Sequence, residues 1–222
     1  IIFFTCGIYL LKDLRKSFSL IISFKSLIAT LFILSGLFMS KSLTENSETK
    51  LSFLSGLLPP QFYSIYEVDN DCPLSLDCYK SFDKGLELSK KFNKPILLDF
   101  TGWACANCRR VEENTWSDPD VYDLINNKFI LISLYVDDRT NLEDDVITLR
   151  DKNGNKKILE KVGEKWSAFQ TLNFKINSQP YYVLISPDLN ILNSPIQYTD
   201  TETYKNWLNE GLQSFTSQNK LP

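Results

Sequence analysis

The sequence contains no histidine among its 222 residues. This absence excludes nucleophile activation by a histidine base, and it excludes metal sites that use imidazole ligands. Basic residues are also too few for a nucleic-acid-binding protein, because 24 Lys and Arg face 27 Asp and Glu and leave a net charge of -3. No internal repeat or low-complexity tract is evident. Any chemistry must therefore come from cysteine, carboxylate, tyrosine or lysine side chains.

Two apolar stretches lie at the beginning of the chain. Residues 1–11 are almost wholly apolar, and residues 18–39 form a second run whose one charge is Lys25. A helix of about 22 residues rises about 33 Å, which matches a bilayer core of about 30 Å. We therefore predict a membrane segment over residues 1–39, the end of one helix followed by a transmembrane helix over residues 18–39. A cleaved signal peptide is the alternative.

Charges around the predicted transmembrane helix indicate its orientation. Lys12, Arg15 and Lys16 precede it, and fewer basic residues follow it. Because basic residues favour the cytoplasmic side, we expect the rest of the chain outside the cytoplasm. We predict a polar linker over residues 40–64 and a folded domain over residues 65–222. The first residue is isoleucine, so we also expect the chain to be a fragment of a longer one.

Hydrophobic periodicity within residues 65–222 alternates between helical and extended patterns. The stretch is long enough to enclose a sizeable core. A polar region with an expected turn at Asn153-Gly154 separates its two halves. We predict helices over residues 79–92, 105–116, 166–174 and 201–215, a short helix from Asp118-Pro119, and strands over residues 96–100, 129–136, 181–185 and 191–192. This order predicts an α/β fold in which a crossover unit precedes an antiparallel hairpin.

The segment Trp103-Ala104-Cys105-Ala106-Asn107-Cys108 follows a predicted strand and begins a predicted helix. Free N–H groups and the helix dipole stabilise a thiolate at a helix N-terminus, and the thiolate is the nucleophile in disulfide exchange. A zinc site would need Cys72 and Cys78 at an unusual spacing, and a purely structural disulfide would close too short a loop to add much stability. We therefore predict a redox-active pair that needs no metal and no cofactor.

Residues 95–108 (PILLDFTGWACANC) resemble the active-site segment of thioredoxin-fold proteins. From Asp99 to Pro119 the sequence is similar to the C-terminal domain of DsbD-type thiol:disulfide interchange proteins, and the resemblance covers roughly residues 75–215. It implies a thioredoxin fold with a central mixed sheet flanked by helices. It also implies a protein-disulfide reductase on the periplasmic side of a bacterial inner membrane. An upstream membrane dithiol would donate electrons, and disulfide-bearing envelope proteins, including those of cytochrome c maturation, would accept them.

The resemblance also implies roles for individual residues. Asp99 would move a proton to or from the resolving thiol of Cys108, with a strand-end carboxylate exposed to water as the alternative. Glu112 would modulate the pKa of the cysteines, with a solvated helix residue as the alternative. Trp103 would shield the disulfide. Pro180 would be a cis-proline that exposes the backbone of Gln179 to a partner, with a trans turn proline as the alternative.

Three cysteines lie outside this motif. A local disulfide between Cys72 and Cys78 is expected in an oxidising compartment, and a second redox pair that relays electrons to Cys105 is the alternative. Cys6 is expected to be a packing residue. Two further functions stay open, a disulfide oxidase or isomerase and a non-catalytic binding module in envelope assembly.

Overall fold

The computed structural model describes residues 2–11, 20–44, 72–142, 147–150 and 156–218. The chain divides into two compact units, Ile1–Leu54 and Ser55–Pro222. In the first unit, helix α1 (Ile2–Leu11) packs against helix α2 (Leu20–Thr44). Helix α2 continues past residue 40, where the sequence predicts a linker to begin, and the predicted linker from residue 45 onward lies outside the described residues.

The transmembrane helix predicted over residues 18–39 coincides largely with α2. In the part of the chain that the structure describes, however, no helix is long and apolar enough to cross a membrane. The predicted membrane span is therefore not confirmed.

The second unit is built from alternating strands and helices. Its elements are β1 (Cys78–Tyr79), α3 (Phe82–Phe92), β2 (Ile96–Thr101), α4 (Ala106–Val111, continued by a π-helical turn Glu112–Trp116), α5 (Pro119–Lys128), β3 (Ile130–Tyr135), β4 (Ile147–Arg150), β5 (Lys156–Leu159), α6 (Val162–Phe174), β6 (Tyr181–Ile185) and α7 (Thr201–Gln218). The central sheet has the order β1-β3-β2-β6, in which the first three strands are parallel and β6 is antiparallel to β2. The mixed central sheet flanked by helices that the sequence predicts is thus present.

The two central strands are buried along their whole length, as expected for parallel strands covered on both faces. Side chains alternate between the faces. Phe100 packs on the face covered by α3 and α6, whereas Leu97 packs on the face covered by α4, α5 and α7. Asp99 and Thr101 follow Leu97 at spacings of two. They therefore belong to the face beneath α4, the helix that carries the cysteine pair.

The structure departs from the predicted elements where strands are short or exposed. Helix α3 begins at Phe82 instead of residue 79, because Cys78 and Tyr79 pair with β3. Strands β4 and β5 form a hairpin within the polar region, where the sequence predicts a turn but no strands, because their largely exposed side chains leave no apolar run. The turn expected at Asn153-Gly154 lies outside the described residues. The strand predicted at 191–192 is a single bridge between Ile185 and Ile191.

Candidate active site

The cysteine pair lies where β2 ends and α4 begins. Cys105 is the N-cap residue of α4, and its Sγ accepts a hydrogen bond of 3.2 Å from the backbone N–H of Cys108. The two cysteines form a disulfide, with their Cα atoms 5.3 Å apart. Cys105 is partly exposed, whereas Cys108 is 1% exposed. A thiolate arriving from solvent can therefore reach the sulfur of Cys105 but not that of Cys108.

The loop before the cysteines is held by Asp137, a residue that the sequence analysis missed. Its two carboxylate oxygens accept hydrogen bonds from the backbone N–H groups of Trp103 (2.8 Å) and Ala104 (2.9 Å). Gly102 permits this approach, because a Cβ there would lie 3.0 Å from the Asp137 carboxylate. Asp137 follows the end of β3, which is parallel to and paired with β2. An acid at the carboxyl end of the neighbouring strand is the signal that could have found it.

Replacing Asp137 with alanine is expected to lower the free energy of unfolding by about 1 kcal/mol, because two charge-assisted hydrogen bonds at an exposed site are lost. The rate of disulfide exchange should fall several-fold as the loop loses its anchor. Chemical denaturation and an exchange assay on the same preparation measure both effects. Asp137→Asn, which keeps one acceptor oxygen, should lie between the wild type and Asp137→Ala. Wild-type exchange by the alanine variant would show that the loop needs no anchor.

The ring of Trp103 lies on the ring of Tyr135, with centroids 3.8 Å apart and planes inclined by 22°. Lys80 extends over the same pair, its Nζ 5.1 Å from the Trp103 centroid. A cation over an aromatic face is attracted by the ring quadrupole. Trp103, two residues before Cys105, thus contacts both Tyr135 and Lys80. Its shielding of the disulfide stays a prediction.

Asp99 lies on β2 and is 2% exposed, so the alternative of a solvated strand-end carboxylate does not hold. Its Oδ2 accepts a hydrogen bond of 3.1 Å from the hydroxyl of Ser133, the residue opposite it on β3. Burial raises the pKa of Asp99 to about 7, although the Ser133 hydrogen bond and the charge of Arg109 act in the opposite direction. A carboxyl group with this pKa can gain or lose a proton near neutral pH.

Glu112 lies in the π-helical turn after α4 and is 6% exposed, so it is not a solvated helix residue. One of its oxygens forms an ion pair of 2.5 Å with Nη1 of Arg109, which is equally buried. Nη2 of Arg109 also donates a hydrogen bond of 3.3 Å to Thr101 on β2. Burial raises the pKa of Glu112, while the charge of Arg109 opposes that rise. No sequence pattern singles out Arg109, because a basic residue on a helix usually faces solvent.

The loop before β6 reaches the same edge of the sheet, because Tyr181 pairs with Phe100 near the end of β2. The Gln179–Pro180 peptide bond is cis, and Pro180 is buried. Gln170 on α6 is fully buried and donates a hydrogen bond of 2.9 Å to the carbonyl of Ser178. It also accepts one of 3.1 Å from Gln179. This glutamine, absent from the predicted site, ties the loop to α6.

Residues 77–161 match a protein-family model described as thioredoxin-like. With its mixed central sheet, the second unit has a thioredoxin-like fold. The matched residues run from β1 to β5 and include both Cys105 and Cys108, while β6 and the cis-proline lie beyond them. A comparison with curated proteins gave no match.

Several solved structures resemble the thioredoxin-like domain at low identity. The solution structure of a thioredoxin from Thermus thermophilus has a TM-score of 0.48 at 14% identity, over 66% of this chain and 95% of that one. A DsbH oxidoreductase has a TM-score of 0.42 at 15% identity, over 68% of this chain and 95% of that one. The reduced C-terminal domain of DsbD from Neisseria meningitidis has a TM-score of 0.40 at 14% identity, over 58% of this chain and 92% of that one.

A second disulfide joins Cys72 to Cys78 at the beginning of the thioredoxin-like domain, with Cα atoms 5.9 Å apart. Within the loop it closes, Leu76 is fully buried and belongs to the same core cluster as Trp116.

The described residues contain no group of three or more His, Cys, Asp or Glu side chains arranged to hold a metal ion. Cys6 on α1 is a free, exposed thiol and not the expected packing residue, because the neighbouring Gly7 is the buried position.

Replacing both Cys72 and Cys78 with alanine is expected to lower the free energy of unfolding by about 2 kcal/mol, the loop-closure entropy of a short cross-linked loop. We expect disulfide exchange at Cys105 to continue in this variant. In the wild type the second disulfide cross-links its own loop and takes no part in the exchange reaction. Urea denaturation and an exchange assay on the full chain measure both quantities. Loss of exchange in a folded double variant would instead favour the relay of electrons from Cys72 and Cys78.

Proposed function

We propose that the thioredoxin-like domain is a protein-disulfide reductase that passes electrons to other proteins through Cys105 and Cys108. The observation that carries this proposal is the unequal exposure of the two sulfurs, one open to solvent and the other buried. Asp99, buried on the sheet face beneath the same helix, supports it further. A reductase needs an attacking thiolate, a resolving thiol and a proton acceptor, and these residues provide one of each.

In the proposed reaction the reduced domain meets a disulfide in its partner. The Cys105 thiolate attacks one partner sulfur, a new S–S bond forms, and the other partner sulfur leaves as a thiolate that takes up a proton. Cys108 then gives its proton to Asp99 and attacks the Cys105 sulfur. The mixed disulfide breaks, and the partner leaves with both of its sulfurs reduced. Two electrons have moved, and Cys105–Cys108 is a disulfide.

Partner binding in this proposal uses the surface next to Cys105. Trp103 lies two residues before Cys105 and stacks on Tyr135, and the loop of Gln179 and Pro180 lies at the same edge of the sheet. We propose that this loop offers backbone groups to an extended segment of the partner, as one strand pairs with another. The hydrogen bonds from and to Gln170 support a fixed loop conformation.

We further propose that the domain works outside the cytoplasm of a bacterium, in the envelope, and receives electrons from a membrane dithiol. The disulfide between Cys72 and Cys78 supports an oxidising compartment, since structural disulfides are rare in reducing ones. Attachment to the inner membrane and acceptors in cytochrome c maturation remain proposals that follow from the sequence resemblance. Cell fractionation and identification of trapped partners would test both.

A redox titration of the full chain tests the direction of electron flow. Each cysteine is alkylated at a series of thiol/disulfide ratios and its modification is read by mass mapping. We expect Cys105 and Cys108 to titrate together at or below the potential of thioredoxin, about -270 mV. A value near or above that of disulfide isomerase, about -180 mV, would make the domain an isomerase or oxidase. If the disulfide between Cys105 and Cys108 cannot be reduced, the remaining candidate function is a non-catalytic binding module.

A further inference from the structure

Arg109 directly follows the resolving cysteine, and its side chain points into the protein. It is 6% exposed, whereas the neighbouring Arg110 on the same helix is exposed. Its guanidinium group donates a hydrogen bond to Thr101 on the sheet and forms an ion pair with Glu112, three residues later in the chain. Arginine is the basic residue best suited to a buried position, because its planar guanidinium group can bind a carboxylate and still has N–H donors for other hydrogen bonds.

This arrangement is not explained by stability. Removing two charges from water costs several kcal/mol per ion, and a buried ion pair often contributes no more than apolar residues of the same size. The Nε atom of Arg109 is buried and has no hydrogen-bond partner among the described residues, which adds to the cost. A buried cation that directly follows the resolving cysteine, pairs with one buried acid and acts electrostatically on another calls for a role in the chemistry.

The two acids differ in their partners. Glu112 holds Arg109 in a direct ion pair, whereas the hydrogen bond to Asp99 comes from the neutral hydroxyl of Ser133. Protonation of Glu112 would leave the Arg109 cation buried without its counter-ion, and the charge of Arg109 accordingly opposes the rise in the pKa of Glu112 that burial causes. A carboxylate held by a hydroxyl can be protonated without that loss. The geometry therefore separates the tasks of the two acids.

We propose that Arg109 is a positioning residue that holds Glu112 as its ion-pair partner and thereby leaves Asp99 to accept the proton of Cys108. This inference rests on the proposed reductase function and deepens it. The cation also keeps Asp99 ionisable, because its positive charge favours the ionised carboxylate of Asp99. Without Arg109, Asp99 and Glu112 would be two buried, electrostatically coupled carboxyl groups without a counter-ion, and Asp99 would hold its proton at working pH.

The pH dependence of the resolving step reports this effect. The titratable and charged groups around Asp99 are Arg109 and Glu112 from α4, Tyr135 from β3, Tyr182 from β6 and Tyr204 from α7. Burial raises the pKa of all three tyrosines above their ordinary value of 10.0, so none of them ionises near neutral pH. Besides the thiol of Cys108 itself, an inflection near neutral pH then belongs to the acid pair.

The test measures the rate at which the full, reduced chain resolves its mixed disulfide with a small peptide disulfide, from pH 5 to pH 9. We expect Arg109→Met to move the inflection up by about one pH unit or more and to slow resolution at pH 7 about tenfold. Arg109→Lys, which keeps the charge, should restore most of the rate. Arg110→Met is the matched control on the exposed side of the helix and should keep the wild-type inflection.

Glu112→Gln keeps the proposal testable if Arg109→Met does not fold. It leaves the cation in place and removes the competing acid, so the inflection should move to lower pH. A wild-type inflection in folded Arg109→Met, or the loss of the inflection in Glu112→Gln, would overturn the role given to Arg109. In both of these cases the wild-type chain still exchanges disulfides. A wild-type chain that does not exchange would overturn the reductase proposal itself.

Discussion

Replacing Cys105 with serine is expected to lower the rate of protein-disulfide reduction by about a hundredfold or more, because only a thiolate attacks a disulfide and no other sulfur in the motif is exposed. The measurement is reduction of insulin by the full chain, with dithiothreitol as electron donor and the turbidity of the released chains as readout. Cys108 is 1% exposed and cannot take over the attack. The rate that remains should equal that of dithiothreitol alone.

Replacing Cys108 with serine should give a different result. Cys105 still attacks, but no thiol resolves the mixed disulfide, so the partner stays bound through an S–S bond that dithiothreitol releases. Cys6→Ser is the matched control, because it removes a free cysteine of the first unit and should leave reduction of insulin unchanged. Trapping by Cys105→Ser in place of Cys108→Ser would reverse the two roles.

Replacing Asp99 with asparagine is expected to stabilise the protein and to slow its chemistry. The pKa of Asp99 is about 7 in the folded chain and 3.8 in its ordinary state, so the folded chain binds this proton more tightly than the unfolded chain. The contribution of Asp99 to the free energy of unfolding is therefore fully present below about pH 4 and is lost as the pH rises towards 7. Each pKa unit corresponds to about 1.4 kcal/mol, so the asparagine variant should gain roughly 4 kcal/mol at pH 8.

Urea denaturation at pH 8 and at pH 4 tests the gain in stability. The variant should exceed the wild type at pH 8 and match it at pH 4, because a protonated Asp99 and an asparagine are similar in shape and charge. Resolution of the mixed disulfide at pH 7 should slow by about a hundredfold, the usual effect of losing a general base. If the variant is more stable but resolves the mixed disulfide at the wild-type rate, Asp99 is buried but takes no part in the resolving step.

The sequence predicts the core strands and the cysteine motif well, for a physical reason. Buried parallel strands need continuous apolar runs, and residues 96–101 and 130–135 have them. The hairpin of β4 and β5 was missed because its strands are mostly exposed and lack that pattern. The sequence predicts the beginning of α3 three residues too early, because the two-residue strand β1 carries too little sequence signal to be recognised.

The sequence by itself determined that Cys105 and Cys108 lie at the beginning of a helix after a buried strand, since local spacing and apolar runs fix both. Only the tertiary structure decided which groups surround them. Asp137 reaches partners more than 30 residues earlier in the sequence. Arg109 and Gln170 bind residues eight positions away, but both turn inward where an arginine or glutamine usually faces solvent. The contacts of Asp137 depend on how the sheet brings the ends of two strands together, and those of Arg109 and Gln170 depend on which faces of α4 and α6 the packing buries. The residue types along these elements do not decide either of them.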